Sequence, residues 1–202
     1  MEGSKARTID KAREYFHSYG YRKASLADLI AEVGISKPTF YSYFRNKEEL
    51  FNTVMLATYN EFLYAYNQKA RRAGSAMEKL DAFVRTYAWF LDAYPLYRDL
   101  HRPGSDLLPR WLKSRYSKDL FAEGIEILAA LLEEGRDQGI FRIDLDTHRA
   151  ALALSQLVTV GLSFDPKVFA RVDPGGYAID LDTLLAILAR GLLAPDPDRP
   201  LD

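Results

Sequence analysis

The sequence predicts an all-α protein: an N-terminal head of three helices with a helix-turn-helix, residues 1–47, followed by a larger helical region, residues 48–202. Three observations carry that reading. Apolar residues recur three and four apart almost throughout, which is the period of one helix face. No run alternates apolar and polar residues between turn signals, as a half-buried strand would. Glycine and proline fall at the ends of the periodic segments, where helices stop or start.

The first helix is expected from about Ser4 to Tyr19, with Ile9, Ala12, Tyr15 or Phe16 and Tyr19 facing inward and Gly20 as terminator. A second begins at SLAD, where Ser25 can cap and Asp28 stands three residues on, and it ends at Gly34. Ser36 then caps a third, with Pro38 in the first turn, where its missing N–H costs nothing. The two short helices, Leu26 to Val33 and Lys37 to Tyr43, are separated by a turn containing glycine, the pattern of a helix-turn-helix.

A long helix follows from near Lys47 to about Arg72, with Phe51, Met55, Tyr59, Phe62 and Tyr66 as its inner stripe. The next, Met77 to Tyr94, aligns Phe83, Tyr87, Phe90 and Tyr94 on one face and ends before Pro95. Residues 95–109 hold three prolines and Gly104, so a short helix and a loop are expected there, with the GSD at Gly104 to Asp106 as a turn and cap. Another long helix runs to about Gln138, with Phe121, Ile125, Leu128 and Leu132 on one side and Gly139 ending it.

Residues 148–164 and 181–193 are apolar almost all round. A helix of that kind is buried on more than one side, and the simplest second partner is another copy of the chain, in a symmetric helix bundle. The segment between them reads as a loop, and APDPDRPLD as an extended tail.

Composition narrows the function. The chain has 202 residues, 48% hydrophobic and 27% charged, without an apolar run of membrane-spanning length or an apolar leader. A cytoplasmic location and no membrane partner are expected. With no cysteine, and with His17, His101 and His148 scattered, neither a thiolate nor a histidine metal site is expected. No phosphate-cradling glycine loop, zinc-helix motif or nucleophile and base arrangement can be read, so neither an enzyme nor a cofactor is expected. The net charge of −1 divides unevenly: residues 1–47 hold nine Lys and Arg against five Asp and Glu, giving +4, and the remainder hold 18 against 23, giving −5. A local basic head is what a phosphate backbone attracts.

The segment SLADLIAEVGISKPTFYSYFRNKEELF resembles the DNA-binding motif of the TetR family of bacterial transcriptional repressors. The likeness lies in Gly34, Ile35, the capping Ser36, Thr39-Phe40-Tyr41, Phe44, and Lys47-Glu48 opening the next helix. GRDQGIFRIDLD, residues 135–146, also looks like the stretch that often precedes the dimerisation helices in that family. Beyond the first 50 or so residues the resemblance is one of layout.

Leu29, Ile30, Val33, Ile35, Phe40 and Phe44 are spaced to form the small core of the head, while Lys37, Thr39, Tyr41 and Tyr43 offer an ammonium, a hydroxyl and two phenols outward. The resemblance implies Lys37, Thr39 and Tyr43 at base edges or nearby phosphates and Tyr41 on a phosphate. Ser25, Ser36 and Lys47, at helix N-termini, complete the expected interface with double-stranded DNA. It further implies a small-molecule cavity among the central helices of the larger domain, whose occupation shifts the spacing of two heads in a homodimer. The expected lining is Tyr59, Phe62, Tyr66, Tyr87, Phe90, Tyr94, Arg98, Trp111, Tyr116 and Phe121, apolar with a few polar handles.

Arg98, His101, Arg102, Arg110, Lys113 and Arg115 surround the proline-rich loop, a set able to meet a carboxylate or phosphates. An acyl thioester or fatty acid would suit such an arrangement. A solvated loop balanced by Asp99, Asp106 and Asp119 is the competing reading. The alternative function is an architectural or partner-binding DNA module on the same fold, without an effector. An all-α enzyme comes after it.

Overall fold

The computed structural model describes residues 2–100, 105, 107, 111, 113–142, 144, 146–163 and 181–193. Among these, the elements are α1 (Glu2–Lys23), α2 (Leu26–Val33), α3 (Lys37–Tyr43), α4 (Lys47–Ala70), α5 (Ala76–Ala93), α6 (Pro95–Leu100), α7 (Arg115–Asp137), α8 (Thr147–Ser163) and α9 (Leu181–Leu192). No strand occurs among the described residues; one isolated antiparallel bridge joins Phe141 to Leu193.

Five helix starts share one chemical solution. Ser25, Ser36, Asn46, Ser75 and Ser114 each accept, through the side-chain oxygen, the N–H three residues ahead. Each such cap contributes about 1 kcal/mol by satisfying a donor that the helix cannot pair internally. The α2 terminus is closed by Gly34 at φ +73°, whose N–H donates to Ala31 and Ile30. That left-handed backbone is the one glycine adopts without strain.

In the head, α1 packs on α2 and α4 around Phe16, Tyr21 and Phe51. Phe51 meets Phe16 edge-on at 5.4 Å and Tyr21 at 4.9 Å. Because Phe51 lies one turn into α4, the same rigid helix closes the head and runs on through the body. At 1.5 Å per residue its 24 residues span about 36 Å. Its expected stripe, Phe51, Met55, Tyr59, Phe62 and Tyr66, is buried throughout. In the body α5 packs on α4, α7 lies against α5 and α8, and α9 also rests on α5.

Three sequence expectations need correction. Helix α1 does not stop at Gly20: the backbone bends there, at φ +72° and ψ 158°, and Tyr21–Lys23 add a further turn that carries Tyr21 into the core. Tyr19 therefore does not face inward but is 57% exposed, its ring tilted against that of Tyr15 with centroids 4.6 Å apart. Phe121 is not on the packed side of α7 with Leu128 and Leu132, and stands 42% exposed. The expected loop at 164–180, the tail from 194, Gly104, Asp106, and the side chains of His101, Arg102, Arg110 and Arg115 lie outside the described residues. Ser105 Oγ accepts the Leu107 N–H at 3.2 Å.

Candidate nucleic-acid interface and interior cavity

Helix α3 has two faces because its seven residues alternate in role. Phe40 is fully buried and its ring lies 5.6 Å from that of Phe44, which leaves the helix in an extended conformation. With Leu29, Ile30 and Val33 these rings form a core that fixes α3 against α2. Lys37 and Tyr41 stand exposed on the opposite side, Tyr41 at 56%. Tyr43 and Thr39 are half-buried, Tyr43 lying edge-on to Phe44 at 6.1 Å. The hydroxyls of Ser36 and Thr39 share a hydrogen bond of 2.8 Å, and Ser36 Oγ also accepts the Thr39 N–H. Both hydroxyls are thereby held in place before any partner arrives. Ser25 is exposed, its Oγ accepting the Asp28 N–H.

Lys47 is arranged differently from the expectation of an outward ammonium. It is half-buried and Nζ donates to the carbonyls of Tyr21 and Ala24 at 2.9 and 2.7 Å. A residue that sequence spacing did not assign to this side is Lys5, whose ammonium lies 5.4 Å from the Phe44 ring centroid. It brings the first turns of α1 beside the end of α3. Only the fold could reveal that neighbour, since 39 residues separate the two.

The body holds a partly open cavity lined, among the described residues, by Tyr59, Phe62, Phe83, Tyr87, Tyr97, Leu100, Trp111, Leu120, Phe121, Gly124, Ser155, Val158 and Thr159. Of the expected lining, Tyr59, Phe62, Tyr87, Trp111 and Phe121 take part. Tyr66, Phe90, Tyr94, Arg98 and Tyr116 do not. Tyr66 and Phe90 pack in the core behind Phe62 and Phe83. Arg98 pairs with Asp92 and is turned to that carboxylate. Tyr116 lies in a separate shallow pocket with Arg45, Asn46 and Asn52. Sequence reading missed Tyr97 and the hydroxyls of Ser155 and Thr159. The latter two, four apart on an otherwise apolar helix, were a usable signal of an inward polar pair.

The phenols in this cavity are held neutral. Burial pushes Tyr87 up to about 12, with a Thr159 hydrogen bond at 3.4 Å acting against it. Burial likewise raises Tyr97 well above the ordinary range. In Tyr59 burial acts first and the nearby Glu123 charge second, both upward. The Tyr59 hydroxyl passes so close to Gly124 that a Cβ there would stand 2.8 Å from it. Room inside is limited to about 60 Å³ for the centre of a water-sized sphere, enough for a few waters.

A second crevice runs along the seam between head and body, bordered by Arg13, His17, Met55, Thr58, Tyr94, Leu96 and Tyr97. Arg13 crosses that seam, donating to Glu61 at 2.9 Å with its guanidinium 5.2 Å from the Tyr94 ring centroid. The Tyr94 hydroxyl donates to the same Glu61 carboxylate. Tyr97 therefore borders both spaces.

Residues 9–54 match the family model described as bacterial regulatory proteins, tetR family. Over that segment the chain carries the DNA-binding region of the TetR family. The transcriptional repressor ComR of Escherichia coli is 47% identical over 47 residues, a match covering 23% of this chain and 22% of that protein. The repressor KstR2 of Rhodococcus jostii is 23% identical over 197 residues, covering 96% of this chain and 93% of that one. In three dimensions the chain is similar to the regulator FadR of Bacillus subtilis, solved in complex with stearoyl-CoA. That likeness has a TM-score of 0.69 at 18% identity, over 92% of this chain and 95% of FadR. As in the TetR-family regulators it resembles, a helix-turn-helix head precedes a helical C-terminal domain. Among the described residues no helix is long and apolar enough to cross a membrane.

Proposed function

We propose that this chain is a ligand-responsive transcriptional repressor that binds a palindromic operator as a homodimer and is released by a small, mainly hydrophobic effector. The observation that carries the DNA reading is the two-faced helix α3, with Phe40 buried in the head core and Lys37 and Tyr41 exposed opposite it. Lys37, Thr39 and Tyr43 meet base edges or nearby phosphates, and Tyr41 a phosphate, with Ser25, Ser36 and Lys47 around them. Residues 1–47 form the reading head and residues 48–202 the ligand and dimer domain.

The dimer reading is supported by Leu152, Leu157 and Val160 of α8 and Ile187 of α9, which stand 43 to 63% exposed on helices with few charges. Two heads held by that contact must match half-sites about 34 to 36 Å apart, or a multiple of this. A ligand lowers operator affinity only as far as it prefers the mismatched arrangement. The phenol-lined cavity is the effector site, and α4, shared by cavity wall and head core, carries its effect to α3. The relatives named for repression and the stearoyl-CoA complex of FadR are in keeping with this reading.

Selection of random-sequence DNA by the purified protein at a stated salt concentration tests it, repeated with Tyr41→Phe and Lys37→Ala. Enrichment of a palindrome that both substitutions weaken is expected; no enrichment across several salt concentrations would refute it. A second reading, a DNA-binding module that answers to a protein partner and no effector, is favoured by the narrowness of the cavity. It predicts that no small molecule changes operator affinity.

A further inference from the structure

The interior cavity combines hydrogen-bonding groups with apolar walls among the described residues. Its polar groups are the phenols of Tyr59, Tyr87 and Tyr97 with the hydroxyls of Ser155 and Thr159, and no charged side chain lines it among the described residues. Tyr87 is engaged, its oxygen accepting from Thr159. Tyr59 and Tyr97 have no hydrogen-bond partner among the described residues, although both are over nine-tenths buried. Their rings lie almost parallel, at 23° with centroids 6.3 Å apart, so the two phenols share one wall.

Each hydroxyl oxygen keeps some accessible surface, so it stands as a donor that a guest's acceptor can use. The guest's acceptor has to be neutral. A carboxylate placed here would lose its hydration with no cation among the described lining residues to offset the loss, and would face the Glu123 charge already felt by Tyr59. A carbonyl oxygen accepts from phenols at a far smaller desolvation cost. The surrounding walls, Phe62, Phe83, Trp111 and Val158, suit an apolar body on either side of it.

Resting on the reading of this cavity as the effector site, we infer that the part of the effector inside it is uncharged and presents a carbonyl oxygen to Tyr59 and Tyr97, as a ketone, ester or thioester does. A free carboxylic acid in its ionised form is excluded from this position. If the effector carries charge at all, that charge stays outside the cavity.

Acetophenone, benzoate and ethylbenzene share size and shape and differ in the group concerned, so ligand-observed NMR titrations of the full chain with each separate the cases. Acetophenone is expected to bind roughly five to ten times more tightly than ethylbenzene, the worth of about one neutral hydrogen bond, and benzoate most weakly. Tyr59→Phe and Tyr97→Phe are each expected to cut the preference for acetophenone while leaving ethylbenzene affinity unchanged, which also reports an intact cavity. Benzoate binding as tightly as acetophenone, or a preference that survives both substitutions, overturns the inference alone. Failure of all three probes to bind the wild type overturns the effector-site reading, and the inference with it.

Discussion

The ammonium of Lys47 lies 4.4 Å from the centroid of the Tyr21 ring while donating to the carbonyls of Tyr21 and Ala24. One side chain at the start of α4 thus fastens the end of α1 and the approach to α2. Lys47→Met is expected to destabilise the head by about 2 to 3 kcal/mol, from two charged hydrogen bonds and a cation–π contact. Thermal melting reads this directly. The salt dependence of operator binding then separates structure from contact: if Lys47 also neutralises a phosphate, the slope of log K against log salt falls by about 0.9.

Lys37 differs from Lys47 in standing exposed on the outer face of α3. Lys37→Ala is expected to leave the melting temperature within about 1 °C, since such surface changes cost under about 0.5 kcal/mol. The salt slope should drop by about 0.9 if the ammonium sits on a phosphate. An unchanged slope with altered sequence preference would instead put it on a base edge.

Gly135 is covered by the ring of Phe141, whose atoms would come within 2.0 Å of a Cβ at that position. The N–H groups of Ile140 and Phe141 both donate to the Gly135 carbonyl, so the ring is held there by its own backbone. Gly135→Ala is expected to cost about 1 to 3 kcal/mol by overpacking, and to lower the melting temperature by several degrees. Calorimetry showing no loss would mean that the turn after α7 relaxes freely.

Leu157, 55% exposed on α8, lies on the face proposed to meet a second copy. Leu157→Asp is expected to yield monomers in analytical ultracentrifugation with helix content retained, and to reduce operator affinity by at least tenfold through loss of the second half-site. A dimer that persists would move the interface elsewhere.

Buried phenols set the alkaline limit of stability. Tyr66 and Tyr87 are pushed up to about 12 from 10.0, with burial the leading cause in both, and burial also raises Tyr59 and Tyr97. Raised folded values mean that the native state holds protons the unfolded chain has released. Their stabilisation is therefore complete below pH 10 and declines as pH rises from about 10 through 12. Tyr87→Phe should flatten that decline, as followed by circular dichroism at increasing pH.

The head was legible because its signals are local. Ser25, Gly34 and Ser36 each act on backbone groups within three or four residues, so the bounds of α2 and α3 follow from their spacing alone. The stripe from Phe51 to Tyr66 was legible for the same reason, since a straight helix turns every fourth residue to one side. Tyr19 misled because Gly20 redirects the backbone and hands the inward role to Tyr21. Lys47, Tyr97 and Lys5 could not be placed from spacing at all. Their partners are Tyr21 at the end of α1, the cavity shared with Tyr59, and Phe44 at the end of α3, all on other elements. The sequence by itself determined the helices, their caps and the two faces of α3, because these depend on period and nearest neighbours. The tertiary structure decided which phenols meet an empty space and which cations turn inward, because those depend on how helices far apart in the chain come to rest against one another.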